Sequence, residues 1–438
     1  MKIANSLSFL AAIPFFLTAC SFEQNDLFSD SATIRIEKKL KEYEEVMTGA
    51  DKGWVFTYYP APEKYGAFNF LVQFDADGSC VMQSDKFLAE KKETSLYQLD
   101  GSQGPVLSFT TYNMLHKLAD PTLYNYGSGW EGESEFTFIR MSENQDTLYL
   151  AGKKRGYEAC MYRNTYDWDT YFSRINGLVE QFTAGVSNRF FRSLALPDGT
   201  DVVLSGYNLY TRSFEAAYQY SEDSVNRQNM KVAFDYDGIH FLTPLDVNGK
   251  QLQKFDYEES TQRFISNELG DPVILQSVNE PAFQYKGVQD HLLTGAYDYI
   301  ITGLTPELND LYSALATKFY EATEGKYSIY AVIISCNPYR QYELLVAYKT
   351  ESSLVIGANS IINFEFDKLR PDKYNFSCRR NITVNGTFGE EVKEEFINFY
   401  KGLFFQTQVS YIAVPSHDFK EFTFGSTLDS RSFTVIQW

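Results

Sequence analysis

The residue types that most often perform chemistry are scattered in this chain. No two of its four histidines lie within five residues of each other, and there is no H-E-x-x-H pair that would bind zinc. The G-x-S-x-G pattern of serine hydrolases and the P-loop of nucleotide hydrolases are also absent. The sequence therefore predicts no catalytic residue, no metal site and no cofactor. The histidines are His116, His240, His291 and His417.

One glycine pattern and the many acidic residues are the features that could contradict this expectation. Gly127 to Gly132 fits G-x-G-x-x-G, but strand-like residues 136–140 follow where a dinucleotide site needs a helix, so we interpret it as a flexible loop. A carboxylate pair for glycoside hydrolysis would have to be chosen among 57 Asp and Glu residues. Spacing along the chain selects none, because the separation of such a pair is set in space.

Two turns of the form D-x-D-G bring carboxylates together, at Asp75 to Gly78 and at Asp235 to Gly238. Calcium takes such oxygen ligands, yet hairpin turns favour Asp and Gly without any metal. Neither turn continues to the downstream glutamate of a complete calcium loop. We interpret both as tight turns at strand ends.

An aromatic, glycine-rich segment is the candidate ligand-binding site. Tyr124, Tyr126 and Trp130 lie around Gly127 and Gly129, where rings on a mobile connection could stack on a ligand. The alternative is an ordinary long connection whose rings fold back on neighbouring β-structure. Both interpretations stay open.

Four cysteines besides Cys20 allow two arrangements. Their even number, in a compartment that can be oxidising, permits two disulfides, while a chain of this size can equally hold buried free thiols. No C-x-x-C spacing indicates a metal or redox site. The four are Cys80, Cys160, Cys336 and Cys378.

The pattern of the first half predicts a helix, a run of strands and a second helix. Residues 32–48 carry apolar side chains at helical spacing, and so do residues 168–182. Between them, from 53 to 154, short alternating strands broken by turn residues predict an antiparallel β-meander or a barrel of lipocalin-like type. We expect residues 32–190 to form an N-terminal β-rich domain with flanking helices.

The pattern of residues 191–438 predicts a second α+β region. Strand patterns come first, and a helix then begins at Pro306 behind a capping residue. A hairpin is predicted around Asn337, and a last helix over residues 392–403. The predicted fold class is therefore α+β and strand-dominated.

Two pairs of short segments, which we call the sequence echoes, are similar enough to suggest that a domain is duplicated. Residues 72–78 and 232–238 agree at five of seven positions, and residues 135–138 recur at 421–424. A duplicated β-domain would explain the echoes, but so would the shared chemistry of strands and tight turns.

The amino terminus predicts export and lipid attachment. Residues 1–19 combine a short positive start with an apolar run ending at Leu17 that is too short to span a bilayer comfortably, which is typical of a signal peptide. The following L-T-A-C, ending in Cys20, resembles the lipobox of bacterial lipoproteins. We expect cleavage before Cys20 and acylation there, with residues 20–31 as a flexible acidic tether.

Composition limits the partners. The formal net charge of −18 would repel a nucleic-acid backbone or an anionic headgroup surface, so no nucleic-acid partner is expected. Aromatic residues make up 16% of the chain. They favour strands and fill β-cores, and the competing explanation is exposed rings that stack on flat ligands.

Several stretches resemble a Bacteroidetes lipoprotein family described as a domain of unknown function (4302-type), most clearly over residues 30–190. Its members look like neighbours of SusC-like and SusD-like outer-membrane uptake genes, which implies an accessory role in nutrient capture. The family brings no catalytic residues to carry over. The stretches are Gly53 to Pro60, Phe74 to Gly78, Phe109 to His116, Glu135 to Phe138 and Leu150 to Lys154.

The expected function follows from this resemblance and from the missing motifs. We expect a non-enzymatic lipoprotein on the cell-surface side of the outer membrane, binding a glycan, peptide or protein fragment for a TonB-dependent transporter or SusD-like protein. The first alternative is a structural or adhesive lipoprotein that binds another protein. The second is a hydrolase with an unrecognised carboxylate site.

Overall fold

Consecutive antiparallel strands close into three eight-stranded barrels that follow one another along the chain. Closure pairs the first strand of each barrel with its last. The computed structural model describes residues 30–85, 91–102, 104–123, 129–184, 189–221, 224–294, 297–336, 341–377, 381–404 and 409–438.

Barrel 1 follows helix α1 (Ala32–Thr48) and contains the short helix α2 (Met114–Ala119). Its strands are β1 (Trp54–Tyr58), β2 (Phe68–Phe74), β3 (Ser79–Ser84), β4 (Glu93–Asp100), β5 (Val106–Phe109), β6 (Glu135–Met141), β7 (Thr147–Gly152) and β8 (Glu158–Arg163). Burial alternates along β7, where Leu148 and Leu150 face inward. The ring of Tyr43 in α1 stacks on Phe138 with centroids 4.0 Å apart, so α1 packs into the barrel core.

Barrel 2 follows helix α3 (Trp168–Ala184). Its strands are β9 (Phe191–Ala195), β10 (Asp201–Asn208), β11 (Ser213–Ser221), β12 (Ser224–Phe234), β13 (Gly238–Val247), β14 (Lys250–Glu258), β15 (Arg263–Ser266) and β16 (Val273–Val278). Helix α3 shares one hydrophobic core with the inside of barrel 2 and with Val55 and Leu71 from the outside of barrel 1. It therefore packs between the two barrels.

Barrel 3 follows helix α4 (Val288–Thr294) and carries two longer helices, α5 (Pro306–Ala322) and α6 (Lys393–Phe404). Its strands are β17 (Asp298–Leu304), β18 (Ala331–Cys336), β19 (Tyr342–Lys349), β20 (Leu354–Phe366), β21 (Lys373–Ser377), β22 (Val409–Pro415), β23 (Glu421–Ser426) and β24 (Ser432–Gln437). Phe190, just before barrel 2, lies on Gly425 of β23, where a β-carbon would come within 2.0 Å of the ring. The glycine thus permits the contact between barrels 2 and 3.

Barrels 1 and 2 are joined by a buried polar junction. The Arg212 guanidinium lies 2.6 Å from the Asp85 carboxylate, with both side chains at most 5% exposed, and it also donates to the carbonyl of Ala67. The amide of Asn69 in β2 donates to the carbonyl of Phe234 at the end of β12. Burial alone would lower the pKa of Arg212, but Asp85 raises it above its ordinary value.

The backbones of the two barrels also meet directly at this junction. Gly66 donates its amide to the carbonyl of Thr211, and Ala67 donates to Val232. A β-carbon at Gly66 would lie 2.3 Å from the carbonyl oxygen of Val232. Only glycine fits this approach, which fixes the position of barrel 1 against barrel 2.

The predicted fold class is confirmed. The structure is strand-dominated α+β, and the predicted meander of the first half closes into a barrel. Helix α1 has the predicted bounds, α3 extends two residues beyond them, and β18 pairs with β19 as the predicted hairpin. Residues 191–438, predicted as one α+β region, contain two barrels.

The sequence echoes do not occupy equivalent places in the barrels. Residues 72–78 run from the second to the third strand of barrel 1, whereas 232–238 run from the fourth to the fifth strand of barrel 2. The barrels repeat, but these segments share turn chemistry rather than a common position. Within the described ranges, no helix has the length and apolar character required to cross a membrane.

We predict that the buried ion pair of the junction is required for full stability of the fold. Arg212→Met should lower the free energy of unfolding by about 3–5 kcal/mol, because Asp85 would remain buried without its counter-charge. The double variant Asp85→Asn with Arg212→Met should recover much of that loss. Urea denaturation of residues 21–438 measures both effects.

The matched control is Lys41→Met, which removes the partner of Glu45 in an exposed pair 3.7 Å apart on α1. It should change the free energy of unfolding by less than about 0.5 kcal/mol. An Arg212→Met variant as stable as this control would contradict the structural importance of the junction.

Candidate functional site

Trp130, from the predicted aromatic segment, packs within the protein. It is 4% exposed, its indole N–H donates to the carbonyl of Tyr210 at 3.0 Å, and its ring meets Phe68 edge-on. The bond to Tyr210 connects barrel 1 to barrel 2. Trp130 is therefore placed as in the alternative interpretation, in which the rings of this segment fold back on neighbouring β-structure. Tyr124 and Tyr126 lie outside the described residues, and so does Cys20, so stacking and lipidation remain predictions.

Two of the four remaining cysteines are free thiols. Cys80 is buried with its sulfur 3.2 Å from the hydroxyl of Ser95, and Cys160 is half-buried. The side chain of Cys336 and the whole of Cys378 lie outside the described parts of the chain. Because Cys80 and Cys160 are unpaired, the arrangement in which the four cysteines form two disulfides is excluded.

A cleft of about 350 Å³ lies where barrel 1, α3 and barrel 2 meet, and we call it the junction cleft. Its volume falls within the range of small-molecule sites. The lining residues are Val55, Thr57, Tyr59, Cys160, Tyr162, Arg163, Asn164, Thr165, Tyr166, Tyr171, Phe234, Asp235, Tyr236, Asp237 and His240. The candidate site thus combines phenol, carboxylate, imidazole and thiol groups.

The alternation of side chains along β1 and β8 determines which residues of barrel 1 line the cleft. The inward positions of β1 belong to the barrel core, so Val55 and Thr57 face outward. In the pairing of β1 with β8, Thr57 lies opposite Cys160, and Val55 opposite Tyr162. Outward residues of the first and last strands therefore form one wall.

The turn between β12 and β13 forms the opposite wall. One oxygen of Asp235 accepts the backbone amides of Asp237 and Gly238, at 3.0 and 2.9 Å, and the other lies 3.4 Å from Nδ1 of His240. Burial alone would raise the pKa of Asp235, but His240 and the two amides lower it below its ordinary value. This D-x-D-G segment thus functions as a turn and presents an ionised carboxylate.

Tyrosines fill the space between the two walls. The rings of Tyr166 and Tyr236 stack with centroids 3.6 Å apart, which ties the start of α3 to the β12–β13 turn. Burial raises the pKa of Tyr162 to about 12 and also raises that of Tyr59. These phenols stay protonated at neutral pH, so each can both donate and accept a hydrogen bond.

Tyr171 of α3 contributes the deepest hydroxyl in this set. The residue is 1% exposed and lines the cleft, and burial raises its pKa well above the ordinary value. The Tyr162 hydroxyl is close enough to hydrogen-bond with that of Tyr171, although this contact falls short of full hydrogen-bond geometry. A buried hydroxyl with so weak a bond is costly, and a ligand in the cleft would provide a better partner.

The electrostatics of the cleft disfavour catalysis by its thiol or by Asp235. Burial raises the pKa of Cys160 to about 11, the reverse of the change that activates a nucleophilic cysteine. The lowered pKa of Asp235 likewise opposes the proton-donating role of a glycosidase acid. Across the described ranges, no three His, Cys, Asp or Glu side chains form a cluster able to hold a metal ion.

Sequence reasoning missed this cleft because its residues come from three separate segments. The D-x-D-G motif at Asp235 marked one wall, but nothing along the chain connects it to Thr57 or Tyr171. Only barrel closure and the junction bring them together.

The raised thiol pKa predicts slow alkylation. At pH 8, iodoacetamide should modify Cys160 roughly a hundredfold more slowly than in the urea-unfolded chain, because so little thiolate is present. The rate should rise as the pH approaches about 11, where the folded-state thiol ionises. Peptide mass spectrometry separates this cysteine from the others, and rapid labelling at pH 8 would instead indicate an activated nucleophile.

Comparison with known proteins gives a family but no activity. No curated protein matches the chain. A solved structure with a reported likeness is the beta subunit from DNA polymerase of Streptococcus pyogenes, at 8% identity over 93% of this chain and 97% of that one. Its TM-score of 0.16 supports no argument about fold or function.

The family match covers residues 24–259, just over half of the chain. It includes barrel 1, α3 and the strands of barrel 2 through β14, and therefore every residue of the junction cleft. The chain belongs to the family described as Domain of unknown function (DUF4302).

Proposed function

We propose that this protein is a non-enzymatic, lipid-anchored binding protein of the bacterial cell surface that captures a small polar ligand in the junction cleft. The observation that carries the proposal is the buried hydroxyl of Tyr171, whose contact with Tyr162 falls short of full hydrogen-bond geometry, in a cleft lined with further phenols and carboxylates. Such groups hydrogen-bond to sugar hydroxyls or to peptide amides. The proposed ligand is therefore a glycan or a peptide.

The charges of the cleft favour neutral or cationic ligands. Asp235 is held ionised, and Asp237 is exposed at the same wall. The Arg163 guanidinium is engaged by Asp146 and by the carbonyl of Gly49. A net charge of −18 over the chain adds to the repulsion of anionic ligands.

Capture is proposed to occur at the outer membrane of a Bacteroidetes bacterium. Acylation of Cys20 would anchor the chain, and the tether to residue 31 could hold α1 at most on the order of 40 Å from the lipid. The family resemblance supports a partner among SusC-like TonB-dependent transporters and SusD-like proteins. In this proposal the protein presents its ligand to that system.

A thermal-shift screen of residues 21–438 tests capture. A ligand at about a hundred times its dissociation constant should add about 2.7 kcal/mol to the free energy of unfolding. We expect a shift from one class of neutral oligosaccharide or peptide, without any product in the same wells. A panel that gives no shift, or that gives turnover, would count against the proposal.

Two variants place the ligand in the cleft. Tyr59→Phe removes one hydroxyl and should weaken binding about fivefold, and Asp237→Asn removes one carboxylate and should weaken it about tenfold. The control is Tyr112→Phe, an exposed residue outside the cleft whose hydroxyl bonds to Asp120. Calorimetric titration should show unchanged affinity for the control, and equal affinities for all three variants would place the ligand elsewhere.

Anchoring has its own test. Cys20→Ser should abolish incorporation of labelled palmitate in the native bacterium and release the protein from the outer-membrane fraction. Cys80→Ser should keep both label and location, since Cys80 is buried in barrel 1. Surface exposure predicts that protease added to intact cells degrades the wild-type protein. A Cys20→Ser protein that remains labelled and membrane-bound would disprove the anchor.

A further inference from the structure

The core of barrel 3 contains a small cavity that shares no lining residue with the junction cleft. Its volume is about 40 Å³, and its wall is apolar throughout. Residues from seven of the eight strands surround it, and α4 contributes the ninth side chain. The lining residues are Leu292, Tyr299, Ile334, Tyr342, Ile362, Tyr374, Phe376, Phe424 and Val435.

The preceding helices fill the other two barrels with aromatic rings. In barrel 2, Phe182 of α3 contacts the rings of Phe214, Phe234 and Phe264. In barrel 1, Tyr43 of α1 stacks on Phe138. In barrel 3 the helix instead provides the smaller Leu292, next to the cavity.

Two tyrosine hydroxyls attach α4 to the barrel. The hydroxyl of Tyr342 donates to the carbonyl of Leu292 at 2.7 Å, and that of Tyr299 reaches the carbonyl of His291 at 3.5 Å. The imidazole of His291 stacks on Phe419 with centroids 4.3 Å apart. The phenol oxygens are thus directed to the helix, while the rings line the cavity.

We propose that barrel 3 is a binding site for a small apolar molecule, such as a short alkyl chain or a single aromatic ring, with α4 as its movable cover. An apolar wall excludes polar ligands, because a polar group there would be buried without a hydrogen-bond partner. Apolar cavities of this kind stay dry and accept apolar guests. Eight-stranded barrels have an interior of a size that can hold one small ligand.

The present volume accepts only the smallest guests, so larger ones require α4 to shift. The hydroxyl of Tyr342 holds the cover through its bond to the carbonyl of Leu292. Weakening that bond should therefore favour a ring-sized guest. This site is independent of the junction cleft and of the proposed function.

Xenon and benzene are the probes. The chain from residue 21 to 438 is prepared with labelled Ile, Leu and Val methyl groups, and spectra are recorded under xenon and during a benzene titration. Shifts should concentrate on the methyl groups that line the cavity. Shifts spread evenly over the methyl groups of the protein, or absent near the cavity, would overturn the proposal. The reporters are Leu292, Ile334, Ile362 and Val435.

Filling the cavity should remove binding. Leu292→Phe places a ring in the cavity, and xenon shifts at the remaining reporters should be lost. Val435→Leu fills the same space from the barrel wall and serves if the first variant does not fold. Persistent xenon shifts in a folded filling variant would contradict the proposed site.

The cover is tested by a matched pair of phenylalanine substitutions. Tyr342→Phe removes the bond to α4 but keeps the ring, and benzene should bind about fivefold more tightly. Tyr411→Phe removes an equivalent bond in the same barrel, from its hydroxyl to the carbonyl of Leu403 in α6 at 2.8 Å. Benzene affinity should not change in this control. Equal affinities in both variants would show that α4 is not the cover.

Discussion

The ion pair between Arg212 and Asp85 determines how barrel 1 meets barrel 2, and the candidate site depends on that meeting. Both groups are buried, so their attraction has to offset a large loss of hydration, and removing either one would leave the other as a buried charge without its partner. Asn69 adds a second link, because it accepts from Thr57 on one wall of the junction cleft and donates to Phe234 on the other. The polar junction therefore supports the two walls from behind and holds them at a fixed separation.

The three barrels share one plan and differ in what their helices supply. A helix precedes each barrel and packs on it: α1 and α3 insert aromatic rings into the cores, whereas α4 contributes Leu292 beside a small cavity. Helix α3 has a second role, because Tyr171 in its first turn also lines the junction cleft. The abundance of aromatic residues is explained mainly by these cores, where the largest fully buried side chains are Trp, Tyr and Phe.

Local pattern was enough to predict the elements, but not their assembly. Alternation and helical spacing predicted α1, α3, the strands of barrel 1 and the hairpin of β18 and β19, because these depend on neighbouring residues. Closure of barrels 2 and 3 depends on pairs such as Leu194 with Leu275, which are distant in sequence. The cleft was missed for the same reason. Trp130 was predicted as a ligand-binding residue, but it is buried and its indole N–H donates to a backbone carbonyl of barrel 2, a partner that no spacing reveals.

Hydrogen–deuterium exchange of the full chain, with and without the ligand that stabilises it most, tests most directly whether the junction cleft is the binding site. We predict slower exchange on both walls at once, in β8 and in the turn from β12 to β13, together with the first turn of α3. Barrel 3 should exchange as before. Slower exchange confined to one barrel away from these segments, with the β12–β13 turn unaffected, would show that the ligand binds outside the junction cleft.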